Sequence, residues 1–203
     1  MLSLIWAELS AYSIPEFVAV IASLAYTLLA AQNNRACWPA AFIGSGIYVA
    51  VFWQYRLYMD SLLNVYYVAM AAYGWFAWQA VTTATNNTQP VEAPIVQWQP
   101  GKHFQWLLLI TVLTLCSGTY LNQYTDAAFP YLDSLTTWSS LLATWMIANK
   151  VLEHWIYWFV IDFISMLLYI NKGLYFTAAL FAAYVVIVVF AYLHWRKLFQ
   201  QQA

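Results

Sequence analysis

Long apolar stretches alternate with short polar connections along the whole chain. A helix that crosses a bilayer needs about 20 mostly apolar residues, with a lower limit near 17. The pattern predicts seven such helices, at 16–32, 38–55, 58–80, 104–121, 133–149, 155–171 and 174–195. Because the apolar runs are continuous and do not alternate with polar residues, they favour helices over a membrane β-barrel. The prediction is an all-α membrane protein with seven transmembrane helices.

The composition agrees with this pattern. Of the 203 residues, 64% are hydrophobic and 7% are charged, whereas a soluble domain is about half apolar and about a quarter charged. The net charge of −1 indicates no nucleic-acid partner and no polybasic lipid anchor. The two cysteines, Cys37 and Cys116, predict neither a disulfide framework nor a metal site. Nothing in the sequence calls for a cofactor.

The basic residues of the loops orient the predicted helices. The segments after odd-numbered helices hold five basic residues: Arg35, Lys102, Lys150, Arg196 and Lys197. The segments on the opposite side hold two, Arg56 and Lys172. Basic residues are enriched in cytoplasmic loops. We therefore expect the N-terminus outside and the C-terminus in the cytoplasm, with Trp195 at the cytoplasmic edge.

The chain also matches itself without a gap at an offset of 117 residues. Thirteen identities fall over residues 16–78, where biased composition alone gives about six. They pair Trp38 with Trp155 and Trp78 with Trp195. Such a match predicts an internal repeat.

The repeat predicts two three-helix units, at 16–80 and 133–195, joined by a linker helix at 104–121. A unit of three helices followed by one linker helix makes four membrane crossings, so the second unit starts on the same side as the first. The predicted repeats are therefore parallel. Transporters with this plan bind their substrate near the midplane, between the repeats. The alternative is an old duplication with no role in transport.

One face of the sixth predicted helix combines aromatic rings with an acid. Residues at helical spacing on it are Trp155, Trp158, Asp162, Ser165 and Tyr169. The matching face of the second predicted helix carries Trp38, Ala41, Ser45, Tyr48 and Phe52. Intramembrane acids face the protein interior or water, so these two faces predict an aromatic pocket with one negative charge. Such a pocket suits a flat, cationic, heteroaromatic solute.

The third predicted helix adds an amide, Asn64, and a phenol one turn later, Tyr67. The candidate substrate-binding residues are Trp38, Tyr48, Asn64, Tyr67, Trp155, Trp158, Asp162 and Tyr169. Each type of residue has a structural alternative. Asp162 can pair within the protein or stay protonated, the tryptophans can pack between helices, and Asn64 can bond a neighbouring helix.

Two stretches, "QYRLYMDSLLNVYYVAMAAYGWFAW" and "FPYLDSLTTW…NKVLEHWIYWFVIDFISMLLYINKGLY", resemble the PnuC family of vitamin transporters. The resemblance extends from about Glu16 to Trp195. It implies a full-length SWEET-like fold, with helices arranged as three, one and three, and a homotrimer in the bacterial inner membrane. It also implies facilitated diffusion, with the vitamin trapped by a cytosolic kinase.

The family divides by substrate into nicotinamide riboside transporters and a PnuT branch associated with thiamine. Riboside transporters often have Asn where this chain has Asp162, and they are longer. We therefore expect a thiamine transporter, with nicotinamide riboside as the alternative. A substrate-binding subunit of a multi-component importer is a further alternative. No nucleophile and base lie at helical spacing, so we do not expect an enzyme.

Overall fold

A computed structural model describes residues 14–55, 58–79, 93–126, 129–171 and 173–202. Seven helices are described: α1 (Ile14–Ala31), α2 (Cys37–Gln54), α3 (Tyr58–Ala77), α4 (Pro100–Tyr124), α5 (Pro130–Ala148), α6 (His154–Asn171) and α7 (Tyr175–Gln202). Each predicted helix has a counterpart. The largest difference is at α7, which continues to Gln202, past its predicted end at 195. Arg56, Lys172 and most of the long polar connection, at 80–92, lie outside the described residues.

The surface of the helices is apolar. Within the part of the chain that the structure describes, four helical stretches are long and apolar enough to cross a membrane: Ile14–Ala31, Pro100–Tyr124, His154–Asn171 and Thr177–Gln202. On α4 the side chains of Phe104, Leu108 and Leu115 are 67%, 56% and 56% exposed. Large exposed apolar side chains in such number are typical of a surface that contacts lipid or another protein. The chain is therefore an all-helical, multi-pass membrane protein.

Six helices form a closed ring. Within the described residues, α1 packs on α2, α2 on α3, α3 on α5, α5 on α6, α6 on α7, and α7 on α1. Helix α4 packs mainly on α5 and contacts α6 at its start, where the His103 ring lies 3.0 Å from the hydroxyl of Tyr157, so it lies outside the ring. We call α1 to α3 the N-terminal trio and α5 to α7 the C-terminal trio. The trios meet at two places, α3 with α5 and α7 with α1.

The turns that connect α1 to α2 and α5 to α6 have the same backbone conformation. Asn33 and Lys150 have positive φ angles, of 54° and 51°, a region that residues other than glycine rarely adopt. The N–H of Asn33 donates to the carbonyl of Ala30, and that of Lys150 to the carbonyl of Ile147, both at 2.9 Å. Asn33 and Ala30 are each 117 positions before their counterparts, Lys150 and Ile147, so the two turns are related by the internal repeat.

A short segment before α4 covers one end of the C-terminal trio. The N–H of Val96 donates to the carbonyl of Lys150 at 2.9 Å, and the N–H of Leu152 donates to the carbonyl of Val96 at 2.8 Å. The neighbouring Ile95 is 3% exposed, and its N–H donates to the side-chain oxygen of Gln202 at 3.0 Å. These bonds fix the segment to the turn before α6 and to the end of α7.

Candidate functional site

Asp162 lies in the middle of α6 and is 5% exposed. Its carboxyl group interacts electrostatically with the phenols of Tyr67 on α3 and Tyr184 on α7. Within the ranges that the structure describes, no basic side chain forms an ion pair with it. The acid therefore faces the interior of the ring, as expected for an intramembrane carboxyl group.

Further contacts connect these phenols to the other ring helices. Tyr67 interacts with the side chain of Ser140 on α5 and, electrostatically, with Tyr26 on α1. Tyr184 interacts in the same way with Tyr48 on α2. We call the whole set the polar centre: Tyr26, Tyr48, Tyr67, Ser140, Asp162 and Tyr184. Because one member comes from each of the six ring helices, the polar centre lies inside the ring.

Asn64 is buried on α3, one turn before Tyr67. Its side-chain nitrogen donates a hydrogen bond to the carbonyl of Asp60 on the same helix, at 2.8 Å. An amide has two N–H hydrogens and one acceptor oxygen, so this bond uses only one of the three polar groups. The others are suited to contact a solute or a neighbouring helix.

Tyr48 and Tyr169 each stack on another ring. Tyr48 lies 5.3 Å from Phe52 on its own helix, with an angle of 12° between the planes. Tyr169 lies 5.2 Å from Phe181 on α7, and Phe181 contacts Tyr184 edge-on at 5.8 Å. An aromatic path thus leads from the polar centre to Tyr169, near the C-terminal end of α6.

The three predicted tryptophans differ in burial. Trp38 and Trp155 are 1% and 2% exposed. The ring of Trp155 lies 4.3 Å from that of His154 and 5.7 Å from that of Trp195. Trp158 is only half buried and packs against the buried residues that include Trp38, Trp155 and Trp195. Of the three, only Trp158 has appreciable exposed surface, and ligand contact by all three stays a prediction.

Sequence analysis missed three members of the polar centre, Tyr26, Ser140 and Tyr184. The 117-residue match contains a signal for Tyr184, because it pairs this residue with the predicted Tyr67. No such signal exists for Tyr26, whose position opposite Tyr67 depends on how the helices pack.

A sequence profile described as the nicotinamide mononucleotide transporter family matches residues 13–197. The chain belongs to this family. Its relatives include PnuC, so the resemblance stated from the two motifs is confirmed. The family consists of membrane transporters, and this membership agrees with the expectation that the chain is not an enzyme.

Named relatives are similar along most of their length. The chain is 25% identical over 186 residues to the "Nicotinamide riboside transporter PnuC" of Escherichia coli (strain K12), which covers 79% of this chain and 75% of that protein. The protein of the same name in Shigella flexneri has the same identity and coverage. That of Neisseria mucosa is 22% identical over 197 residues, which cover 92% of this chain and 73% of the relative.

A solved structure has the same fold. The "Crystal structure of the Vitamin B3 transporter PnuC" superposes with a TM-score of 0.72 at 19% sequence identity. The match covers 100% of this chain and 91% of the solved one. At this identity the likeness shows the fold, and the substrate has to be inferred from the site.

Proposed function

We propose that this chain transports nicotinamide riboside by facilitated diffusion. The observation that carries the proposal is Asp162, buried inside the ring beside two phenols and with no ion-pair partner among the described residues. A permanently positive pyridinium ring next to this carboxyl group supplies the missing counter-charge. The phenol hydroxyl groups of Tyr67 and Tyr184, which interact with this carboxyl group, are suitable partners for the hydroxyl groups of a ribose.

The charge of the site favours a nucleoside over a nucleotide. A phosphate monoester carries about −1.5 to −2 charges near pH 7 and is usually bound by arginine, lysine or a helix N-terminus. The basic residues that the structure describes all lie in turns or near helix ends: Arg35, Lys102, Lys150, Arg196 and Lys197. Inside the ring the carboxyl group of Asp162 interacts with two phenols, and its negative charge would oppose a phosphate.

The sequence led us to expect thiamine as the substrate. The similarity to named relatives favours nicotinamide riboside instead. The cited relatives carry the riboside in their names. The acidic residue at 162 does not point to thiamine by itself, because both solutes have a positive ring that benefits equally from a nearby carboxyl group. We therefore adopt the alternative reading.

The transport mechanism that we propose is a rocking motion of two parallel three-helix repeats, 16–80 and 133–195, with 104–121 as the linker. It is supported by the ring, in which α1–α7 and α3–α5 are equivalent contacts under exchange of the trios. It is also supported by the matching turns at Asn33 and Lys150. This plan is the SWEET-like arrangement of three, one and three helices.

Three further features belong to this proposal. The C-terminus lies in the cytoplasm, which is supported by the basic residues of the loops. The protein is a homotrimer of the bacterial inner membrane. A cytosolic kinase phosphorylates the entering riboside, and this makes net transport directional, because the product is an anion that the acidic site does not bind well.

The test is uptake into liposomes that contain only the purified chain. Labelled nicotinamide riboside is supplied with a tenfold excess of unlabelled riboside, nicotinamide mononucleotide or thiamine. We expect uptake to stop when the inside and outside concentrations are equal, and only unlabelled riboside to compete strongly. Empty liposomes serve as the control.

Other results would contradict separate parts of the proposal. Uptake of labelled thiamine without uptake of the riboside would restore the PnuT reading. Equal competition by the mononucleotide would contradict the exclusion of phosphate. Accumulation above the external concentration under a sodium or proton gradient would contradict facilitated diffusion. No uptake with tight binding would favour a binding subunit.

A further inference from the structure

Four tryptophans meet at one end of the ring, and we call them the tryptophan cluster. Trp38 and Trp155 lie at the starts of α2 and α6, Trp78 directly follows α3, and Trp195 lies near the end of α7. All four are nearly inaccessible, at 1%, 2%, 3% and 0% exposure in that order. Their rings form a continuous row, with Trp38–Trp78 at 5.3 Å, Trp78–Trp195 at 5.7 Å and Trp155–Trp195 at 5.7 Å.

Two hydrogen bonds from this cluster join the two trios. The indole N–H of Trp78 donates to the carbonyl of Ile147, at the end of α5, at 3.1 Å. The indole N–H of Trp195 donates to the carbonyl of Ala30, at the end of α1, at 2.9 Å. The two donors lie 117 positions apart, and so do the two acceptors. The internal repeat therefore relates one bond to the other, and the two bonds are equivalent. Each crosses one of the two places where the trios meet.

The other two indoles of the cluster are bonded differently. The N–H groups of Trp38 and Trp155 are buried and have no hydrogen-bond partner within the described ranges. These positions are also 117 residues apart. The cluster therefore contains one pair of tryptophans that hold the trios together and one pair that contributes ring area only.

We propose that Trp78 and Trp195 form a gate that closes this end of the ring. If the trios separate here, the ring contact between the two residues and both hydrogen bonds have to break. The gate lies beyond Asp162, which is seven residues along α6 from Trp155, or about 10 Å at 1.5 Å per residue. In the predicted orientation this is the cytoplasmic end.

The gate depends on the proposed transport function only because alternating access requires a closure on each side of the substrate. Its test needs no solute. The thiol of Cys37 belongs to the same buried cluster and is 0% exposed, so it reacts with a maleimide only when this end opens. Cys116 is exposed on α4, outside the ring, and reports reactivity that is independent of the gate.

The experiment measures maleimide labelling of both cysteines in the purified chain, peptide by peptide, by mass spectrometry. Trp78→Phe and Trp195→Phe each remove one bond across the trios. Since a hydrogen bond of ordinary strength changes an equilibrium by roughly two- to tenfold, we expect either variant to raise the Cys37 rate by that factor. The rate at Cys116 stays unchanged.

Trp155→Phe is the matched control, because it removes the same ring volume from the same cluster without removing a hydrogen bond. We expect its Cys37 rate to stay at the wild-type value. An equal increase in all three variants would overturn the proposal in favour of simple loosening of the packing. No increase in Trp78→Phe and Trp195→Phe would also overturn it.

Folding is checked by size-exclusion chromatography and by the Cys116 rate. If only one of the two gate variants folds, it carries the test alone, since the bonds are equivalent. Failure of both to fold, with Trp155→Phe intact, would overturn the proposal, because contacts that the fold requires cannot open in each cycle. If the wild-type chain does not take up riboside but the variants show the expected labelling pattern, the proposed substrate is contradicted and the gate is not.

Discussion

Asp162 on α6 interacts with Tyr184 on α7 inside the ring, at a position where Tyr184 also interacts with Tyr48 on α2. Burying a carboxyl group costs free energy unless nearby groups interact with it. An apolar residue at 162 would avoid this cost, so the acid is better explained by a role in binding than by stability. This relationship leads to the first two predictions.

Asp162→Asn should weaken binding of nicotinamide riboside by about 10- to 100-fold, because it removes the counter-charge and keeps the size of the side chain. Isothermal titration of the purified variant measures the change. The reduced riboside, whose dihydropyridine ring is uncharged, is the control and should bind both proteins equally. Wild-type affinity of the variant for the cationic riboside would show that the acid is not a ligand.

Tyr67→Phe and Tyr184→Phe should each lower riboside affinity by about three- to tenfold, since each removes one hydroxyl group beside Asp162. The matched control is Tyr131→Phe, whose hydroxyl contacts Thr119 on α4 at 3.3 Å, outside the ring. We expect no change in that variant under the same titration. If all three variants bind alike, the phenols of the polar centre do not contact the solute.

Trp158→Ala and Trp195→Ala should both reduce uptake, for different reasons. Trp158 is half buried, so its removal takes away a stacking surface and leaves the fold intact. Trp195 is fully buried and hydrogen-bonded, and its truncation should cost about 3–5 kcal/mol of stability. Thermal unfolding in detergent separates the two, with a lowered midpoint expected for Trp195→Ala alone. Equal midpoints would contradict this distinction.

Gly74→Ala should destabilise the protein by about 1–3 kcal/mol, the usual cost of overpacking. A methyl group at Gly74 would overlap the ring of Trp38. The matched control is Gly46→Ala, because a methyl group at that helical position meets no atom within 4 Å beyond its chain neighbours and the backbone of its own helix. Alanine there should be neutral or stabilise by up to about 1 kcal/mol. Thermal unfolding of the two variants measures the difference, and similar midpoints would contradict close packing at Gly74.

The placement of Trp195 at the cytoplasmic edge concerns its depth in the membrane and stays a prediction. The structure adds that its ring is enclosed by those of Trp78, His154 and Trp155. Hydropathy places a residue along the membrane normal and contains no information on how far it lies from the ring axis. That distance depends on the packing of α7 against α1.

Apolar runs and their polar connections determined the number of helices and most of their bounds. The reason is that backbone N–H and C=O groups in lipid have to form hydrogen bonds within their own segment. The family motifs and the acid in the sixth helix were likewise legible in the sequence. Only the tertiary structure decided that Tyr26, Ser140 and Tyr184 join Asp162, and that Trp155 lies in the tryptophan cluster. A helical pattern specifies the face of a side chain, whereas the neighbour across that face depends on which helices pack to close the ring.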